Sequence, residues 1–309
     1  MRDSAYRRRD TQRFDDDDYD SYEDKRYRHR LHRPPSDGRD RADGLGDGER
    51  WSTWEQSSAT ERGPRPYPAW LVTESAATDT ELGILKTGKE ADVFLLSRGV
   101  PGTDRSCLLA AKRYRSAEHR MFHRDIEYLA GRRFRESRDT RAMLNRTTVG
   151  REMLARHWAE SEFAAFRQLH VAGVPVPYPV QLLGTEILLE FIGEPDGTAA
   201  PRLADLRPAG HELAELWRQL VDTLVTMAGL GLTHGDLSAY NLLVHRGRLV
   251  VIDLPQVIDV IAHPRGSEFL NRDAGNVARW FAAHGLDIAA GGLDVADLAP
   301  VLRREARLR

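Results

Sequence analysis

Residues 234–253 read HGDLSAYNLLVHRGRLVVID, from His234 to Asp253. The stretch parses as a short polar loop, a strand, a tight turn and a second strand that ends on an acid. Leu242 to Val244 and Leu249 to Ile252 are aliphatic runs of strand length, and His245-Arg246-Gly247-Arg248 between them is a turn. A hairpin closed at that turn brings Asn241 and Asp253 to neighbouring strand ends. Asp236 stands five residues ahead of Asn241. Two oxygen donors side by side, with a lone carboxylate nearby, suit a site that holds Mg²⁺ on a nucleoside triphosphate and orients a nucleophile. The chemistry implied is phosphoryl transfer.

Each part alone has a structural explanation: Asp236 can cap a turn and Asn241 can close one. The combination is what carries information. The protein-kinase catalytic loop H-R-D-x-x-x-x-N, followed by the acid of D-F-G, has this layout. Here Gly235 replaces the arginine, and Asp253-Leu254-Pro255 replaces D-F-G. The match is therefore to the broader kinase-like superfamily and not to ordinary protein kinases. His234 is read as a packing and hydrogen-bonding element beneath the carboxylate. No His, Cys or acidic residues stand at zinc-like spacing.

A phosphate-cradling loop and a lysine must then lie upstream. Residues 83–96 read GILKTGKEADVFLL, and Thr87-Gly88-Lys89 is the candidate loop, although a turn alone explains a single glycine. Strand-like Asp92 to Leu96 leads to a second strand, Cys107 to Lys112, whose terminal lysine suits the α- and β-phosphates. The alternative for Lys112 is a snorkelling edge lysine. Its carboxylate partner is expected on a helix from His157 to His170, where Phe163, Phe166 and Leu169 recur at helical spacing. Glu160 and Glu162 point about 200° apart around that helix. Glu162 lies beside the apolar stripe and is preferred; Glu160 stays open. The helix should stop at Gly173, before the stiff connector Val174 to Pro179. Thr185 to Gly193 then reads as the strand that joins two lobes, where the main chain of Glu190 to Ile192 would meet an adenine edge.

With these pieces in place the chain resembles the RIO-type atypical serine/threonine protein kinases, most closely their type-1 branch and its bacterial members. The resemblance rests on Lys86 to Phe94, Ala111 to Arg115, Trp158 to Glu162, His234 to Asn241, Ile252-Asp253, and EFLNRDAGNV from Glu268 to Val277, and it covers about residues 68–283. It implies an α+β, bilobal protein-kinase-like fold: a small β-rich N-lobe and a short helical C-lobe that lacks an activation loop and peptide-binding helices. It also implies ATP-dependent phosphorylation of protein serine, the protein itself included, with Mg²⁺ or Mn²⁺. Asp236 would be the base, Lys112 the phosphate lysine, and Asn241 with Asp253 the metal ligands. Members of the family are also discussed as ATPases in which the acid at the Asp253 position is phosphorylated.

Departures and alternatives bear on that expectation. Pro255 stands where the family commonly has a small polar residue, and proline fixes φ and removes a donor. Ser238 occupies the place two residues after the base where kinases usually carry a lysine. No A-P-E element follows Asp253; the chain runs through His263-Pro264 into an expected helix, Glu268 to His284, with Phe269, Leu270, Val277, Trp280 and Phe281 as its apolar face. A docked protein serine and an ATPase switch on a ribonucleoprotein or other assembly are both open, as is a nucleotide-gated scaffold with little transfer. Aminoglycoside- and choline-kinase-type phosphotransferases share H-G-D-x-x-x-x-N, but they usually follow it with an acid-aromatic pair and long helical insertions.

Composition sets the bounds. The chain has 309 residues and a formal net charge of −2. Residues 1–66, which include DDDDYDSYEDKRYRHRLHRPP, hold almost no aliphatic side chains and are expected to be a disordered polyampholyte arm. The N-lobe is expected over 67–193, with a flexible basic insertion at about 116–150, and the C-lobe over 194–309. From Lys112 to Arg156 there are thirteen Lys or Arg against six Asp or Glu, a surface that would draw the phosphates of nucleotide, RNA or a ribosomal particle. The single cysteine, Cys107, excludes an internal disulfide and reads as a small core residue. Nothing resembles a signal peptide or a stretch of ~18 apolar residues, so a cytoplasmic protein without a membrane partner is expected.

Overall fold

The computed structural model describes residues 45–46, 48–115, 148–255, 257–286 and 293–308. Its first half contains the strands β1 (Glu49–Trp51), β2 (Thr78–Thr87), β3 (Ala91–Gly99), β4 (Ser106–Tyr114), β5 (Pro179–Leu183) and β6 (Glu186–Glu190). They form one antiparallel sheet in the order β1-β2-β3-β4-β6-β5.

Side-chain alternation sorts the two faces of this sheet. Ala91 and Leu95 of β3, Tyr114 of β4, and Ile187 and Leu189 of β6 point to one side. There the helix α1 (Thr148–Val171) covers them with Trp158, Phe163, Phe166 and Leu169. Gly173, at φ 79°, ends that helix, and the Val174 amide reaches back to the Leu169 carbonyl at 3.0 Å. Leu96, Cys107, Leu109, Ala111 and Leu188 point to the opposite side, into a second cluster.

The second cluster is closed by chain that precedes β2: Trp54, Leu71, Val72 and Ala77, with Tyr67 against them. This corrects the expectation of an arm extending to residue 66. Residues 1–44 lie outside the described residues, whereas β1 pairs with β2 and the strap that follows it is packed on the sheet. Trp54 stands edge-on to Tyr67 at 5.1 Å and carries the Arg62 guanidinium over its ring at 4.8 Å. Aromatic rings supply buried area that a search for aliphatic runs does not register. Beneath the strap, Arg98 and Asp79 form a fully buried pair at 2.6 Å, and Arg98 also donates to Gln181 at 3.0 Å. The basic insertion expected at 116–150 lies outside the described residues as far as 147, and from Thr148 onward the chain is helical.

The second half contains α2 (Gly210–Gly229), β7 (Leu232–Thr233), β8 (Leu242–His245), β9 (Arg248–Val251), β10 (Ile258–Asp259), α3 (Gly266–Ala283) and α4 (Leu298–Glu305). The hairpin of β8 and β9 runs in register from Leu242 opposite Val251 to His245 opposite Arg248. Arg246 and Gly247 turn it with φ 51° and 74°, the two positive values that a two-residue hairpin turn with the right twist requires. Trp217 of α2 meets Phe281 of α3 at 5.0 Å and donates through its indole nitrogen to the Leu293 carbonyl at 2.7 Å. Leu270, Val277 and Phe281 of α3 are buried as expected, but Phe269 is only partly covered, between the guanidinium groups of Arg265 and Arg272. Among the described residues only β10 and short turns lie between Asp253 and α3. None of the described helices is long and apolar enough to cross a membrane.

The strap gives a direct test of the corrected boundary. Trp54→Ala should lower unfolding stability by about 3–5 kcal/mol, as removal of a buried aromatic does, read from the urea midpoint at unchanged slope. A midpoint equal to that of the wild type would return residues 48–66 to a solvated arm.

Candidate active site

The site is assembled from four local structures. β4 carries Lys112 and Tyr114 on its cleft-facing row, α1 presents Glu162, the loop after β7 carries Asp236, and the loop after β9 carries Asp253. The Lys112 ammonium donates to Glu162 Oε1 at 2.7 Å and to Asp253 Oδ1 at 2.7 Å. Glu162, not Glu160, is the helix partner; Glu160 pairs with Arg156 on the solvent side at 3.0 Å.

Glu162 is fully buried and its two oxygens serve three donors. Besides Lys112, the Tyr114 hydroxyl donates to Oε2 at 2.6 Å and the Leu254 amide to Oε1 at 2.9 Å. Burial works against the Lys112 charge, but the neighbouring Glu162, Tyr114 and Asp253 together carry its pKa well above the usual lysine range. Burial likewise works against the Asp253 carboxylate, and Lys112, with help from Lys86 and His234, brings its pKa down to about 2. Both groups are ionised at neutral pH. Asp253 adopts φ 64°, a left-handed conformation that few non-glycine residues take, and Leu254 beside it is buried.

The hairpin sets Asn241 against Asp253 as the spacing anticipates: the Ile252 amide donates to the Asn241 carbonyl at 3.0 Å. The Asn241 side-chain nitrogen donates to the Asp236 carbonyl at 2.9 Å, which commits that end of the amide and leaves its oxygen for another partner. His234 is buried and oriented from both sides. Its Nδ1 accepts the Asp236 amide at 3.3 Å, so Nε2 carries the proton and donates to the Ile252 carbonyl at 3.1 Å. Asp236 itself is exposed.

Sequence reasoning missed what holds this loop. Asp273 of α3 is a buried carboxylate that accepts the Thr233 hydroxyl at 2.7 Å, the Gly235 amide at 2.7 Å and the Leu237 amide at 3.0 Å. Asn276 donates to the Leu237 carbonyl at 3.1 Å, and Arg272 donates to the Gly235 carbonyl. Gly235 adopts φ 87°, which explains a glycine where ordinary kinases have arginine. A signal was available: Asp273 stands on the apolar stripe with Leu270, Ala274 and Val277, and an acid there must be buried.

The other expected residues are placed as follows. Thr87 ends β2 and is exposed, Gly88 lies in the turn to β3, and Lys89 on that turn is exposed and makes no ion pair with a described residue. A Cβ on Gly88 would come within 2.8 Å of the Ala91 carbonyl oxygen, to which the Gly88 amide is bonded at 3.0 Å, so the turn is tight enough to require glycine. Glu190 is engaged with Tyr178 at both ends: its amide donates to the Tyr178 carbonyl at 2.9 Å and its carboxylate accepts the Tyr178 amide at 3.0 Å. The Ile192 carbonyl is taken by the Ala200 amide at 2.9 Å, so what Ile192 can offer a base is its own amide.

The donor set fits a hard divalent cation. An ionised Asp253 and the Asn241 oxygen are the two donors that suit Mg²⁺. No described group of three or more His, Cys, Asp or Glu side chains could hold a metal unaided. A cation here would complete its shell with water and phosphate oxygens, the way Mg²⁺ binds at nucleotide sites.

The model of the RIO domain family matches residues 109–291. The chain is 35% identical over 208 residues to the RIO-type serine/threonine-protein kinase Rio1 of Haloferax volcanii, covering 66% of this chain and 64% of that one. It is 34% identical over 214 residues to serine/threonine-protein kinase RIO1 of Chaetomium thermophilum, covering 66% of this chain and 40% of that one. It thus spans less than two thirds of the length of these relatives. A crystal structure of the Rio2 kinase from Chaetomium thermophilum superposes with a TM-score of 0.51 at 20% identity, over 72% of this chain and 63% of that one, and so shares the fold.

Replacing Asp273 by Asn would set an amide NH₂ against backbone N–H donors. Amide hydrogen exchange at Gly235 and Leu237 should speed up by about tenfold or more, while that of β3 and β4 stays unchanged, because only the loop loses its acceptor. Unchanged protection at both amides would show that the loop holds itself.

Proposed function

The chain belongs to the RIO domain family, and we propose that it is an ATP-dependent serine/threonine protein kinase whose transfer centre is the cleft between the sheet and the β8–β9 hairpin. The observation that carries this proposal is Lys112 bonded at once to Glu162 and Asp253, each at 2.7 Å. It supports the reading because it sets a largely buried cation beside an ionised oxygen donor, the two groups that a polyphosphate and its metal would need.

In this proposal Lys112 and the amides around Gly88 hold the phosphates, while the backbone of Glu190 to Ile192 meets the adenine. Asn241 and Asp253 would hold Mg²⁺ or Mn²⁺, which would supply charge neutralisation on the polyphosphate. Asp236, exposed and with its backbone fixed by His234 and Asn241, accepts the proton of the attacking hydroxyl. The acceptor is a protein serine, the chain's own serines included. Ser238 in place of the usual lysine removes one cation from the loop, so slow turnover is expected.

A second outcome of the same geometry is ATP hydrolysis as part of a switch on a ribonucleoprotein or other assembly: the Asp253 carboxylate would take the γ-phosphoryl group as ADP leaves, and water would then release it as phosphate. The short path from Asp253 to α3 favours it, because that path offers no shelf for an extended peptide. The same shortness weighs against a small-molecule phosphotransferase of the aminoglycoside or choline kinase type, which needs helical insertions around its acceptor. RNA contact would rest on the basic stretch from Lys112 to Arg156, most of which lies outside the described residues.

Incubation with γ-labelled ATP, Mg²⁺ and a cell extract separates these outcomes. Acid-stable phosphoserine supports the kinase, acyl phosphate on Asp253 with released phosphate supports the switch, and labelled sugar or amino alcohol revives the small-molecule enzyme. Asp236→Ala should leave ATP affinity within about threefold and lower transfer by about 10²- to 10⁴-fold, the range for loss of a general base. Lys112→Ala should weaken nucleotide binding as well. Wild-type transfer by Asp236→Ala would remove the base assignment.

A further inference from the structure

The cleft contains a second lysine to which the kinase proposal gives no task. β2 does not pair with β3 in even register: Ile84 lies opposite Phe94, and Lys86, two residues on, lies opposite Val93. Leu85 is the extra residue of a bulge. Without it Lys86 would fall opposite Asp92 and share the outer face with Ile84, which is 57% exposed. With it Lys86 enters the row Lys86–Val93–Lys112–Ile187, whose members are directly paired across four strands and therefore share one face. That face is the cleft. Bulges beside active sites commonly serve to re-aim a side chain in this way.

The two lysines stand two strands apart, about 10 Å between backbones at the usual strand spacing. Lysine side chains are long enough for both ammonium groups to close on one polyphosphate. Lys86 is half-buried and makes no hydrogen bond or ion pair with any described residue. Its electrostatic neighbours are Asp253, Arg202 and Lys112. The only acid among them is already bound to Lys112 at 2.7 Å. Burial, reinforced by Arg202 and Lys112 and opposed by Asp253, lowers the Lys86 pKa. A half-desolvated cation near two others, sharing its one acidic neighbour with Lys112, costs free energy that an exposed lysine on the outer face would avoid. A bound polyanion removes that cost.

We propose that Lys86 is a second phosphate-binding residue, which with Lys112 holds the triphosphate of ATP and supplies the positive charge that the loop lacks at Ser238. The inference rests on the kinase proposal for the same cleft and adds a recognition element that the glycine turn alone does not provide.

Calorimetric titration with ATP in the presence of Mg²⁺, and competition with adenosine, test it on the full chain as wild type, Lys86→Met and Lys86→Arg. For Lys86→Met the ATP Kd should rise by about tenfold while that of adenosine is unchanged, and Lys86→Arg should recover most of the loss. Should Lys86→Met fail to fold, Lys86→Thr is read in its place. Equal ATP affinity in wild type and variant overturns the inference and leaves the ATP site standing. An equal loss for adenosine and ATP also overturns it, since it marks a distorted cleft. A wild-type protein that binds no ATP defeats the nucleotide site itself, and the inference with it.

Discussion

The burial of one carboxylate organises this molecule. Glu162 has no exposed surface, and an ionised group so placed is tolerated only when its oxygens are fully partnered. Its three donors come from two places in the chain remote from the helix: Lys112 and Tyr114 from β4, and the Leu254 amide from beyond β9. Satisfying one acid therefore fixes the distance between the sheet, the helix α1 and the hairpin that carries the metal-binding candidates. The Leu254 bond also explains how Asp253 is held in a left-handed backbone conformation next to a buried leucine. Loss of any one donor would leave a buried charge short of a partner, so the three elements stand or fall together.

Asp273 repeats the device on the other side of the cleft. It is again a buried acid from a helix, and again it binds groups far away in sequence, here Thr233, Gly235 and Leu237 of the Asp236 loop. The loop keeps its shape through helix α3 and not through a long activation segment. This accounts for a C-lobe that can be so short. Gly235 is needed because the backbone turns left-handed just where Arg272 and Asp273 grip its carbonyl and amide. Between the two buried acids, Asp236 remains exposed on a rigid support.

The parts of this site legible in the sequence are those whose signals are contiguous. Two aliphatic runs around an Arg-Gly turn specify the hairpin, and with it the closeness of Asn241 and Asp253. The helical position of Glu162 beside Phe163 and Phe166 separates it from Glu160. The part of the strap before residue 67 was not legible, because Trp54 is a lone buried aromatic with no periodic apolar neighbours and follows an acidic, arginine-rich stretch. Asp273 escaped because its partners are mostly backbone amides 36–40 residues away. Lys86 could not be placed at all from sequence, since a bulge decides which face of β2 it occupies and bulges leave no reliable mark in a single chain.

In the proposed function, Lys112, Glu162, Asn241 and Asp253 enclose the phosphates and metal of a nucleotide. A crystal structure of the protein with Mn²⁺ and a non-hydrolysable ATP analogue, with anomalous scattering used to locate the metal, tests this most directly. The expected result is a manganese peak between the Asp253 carboxylate and the Asn241 oxygen, with the triphosphate against Lys112. A nucleotide bound elsewhere, or manganese away from Asp253 with the Lys112–Asp253 pair still closed, would contradict it.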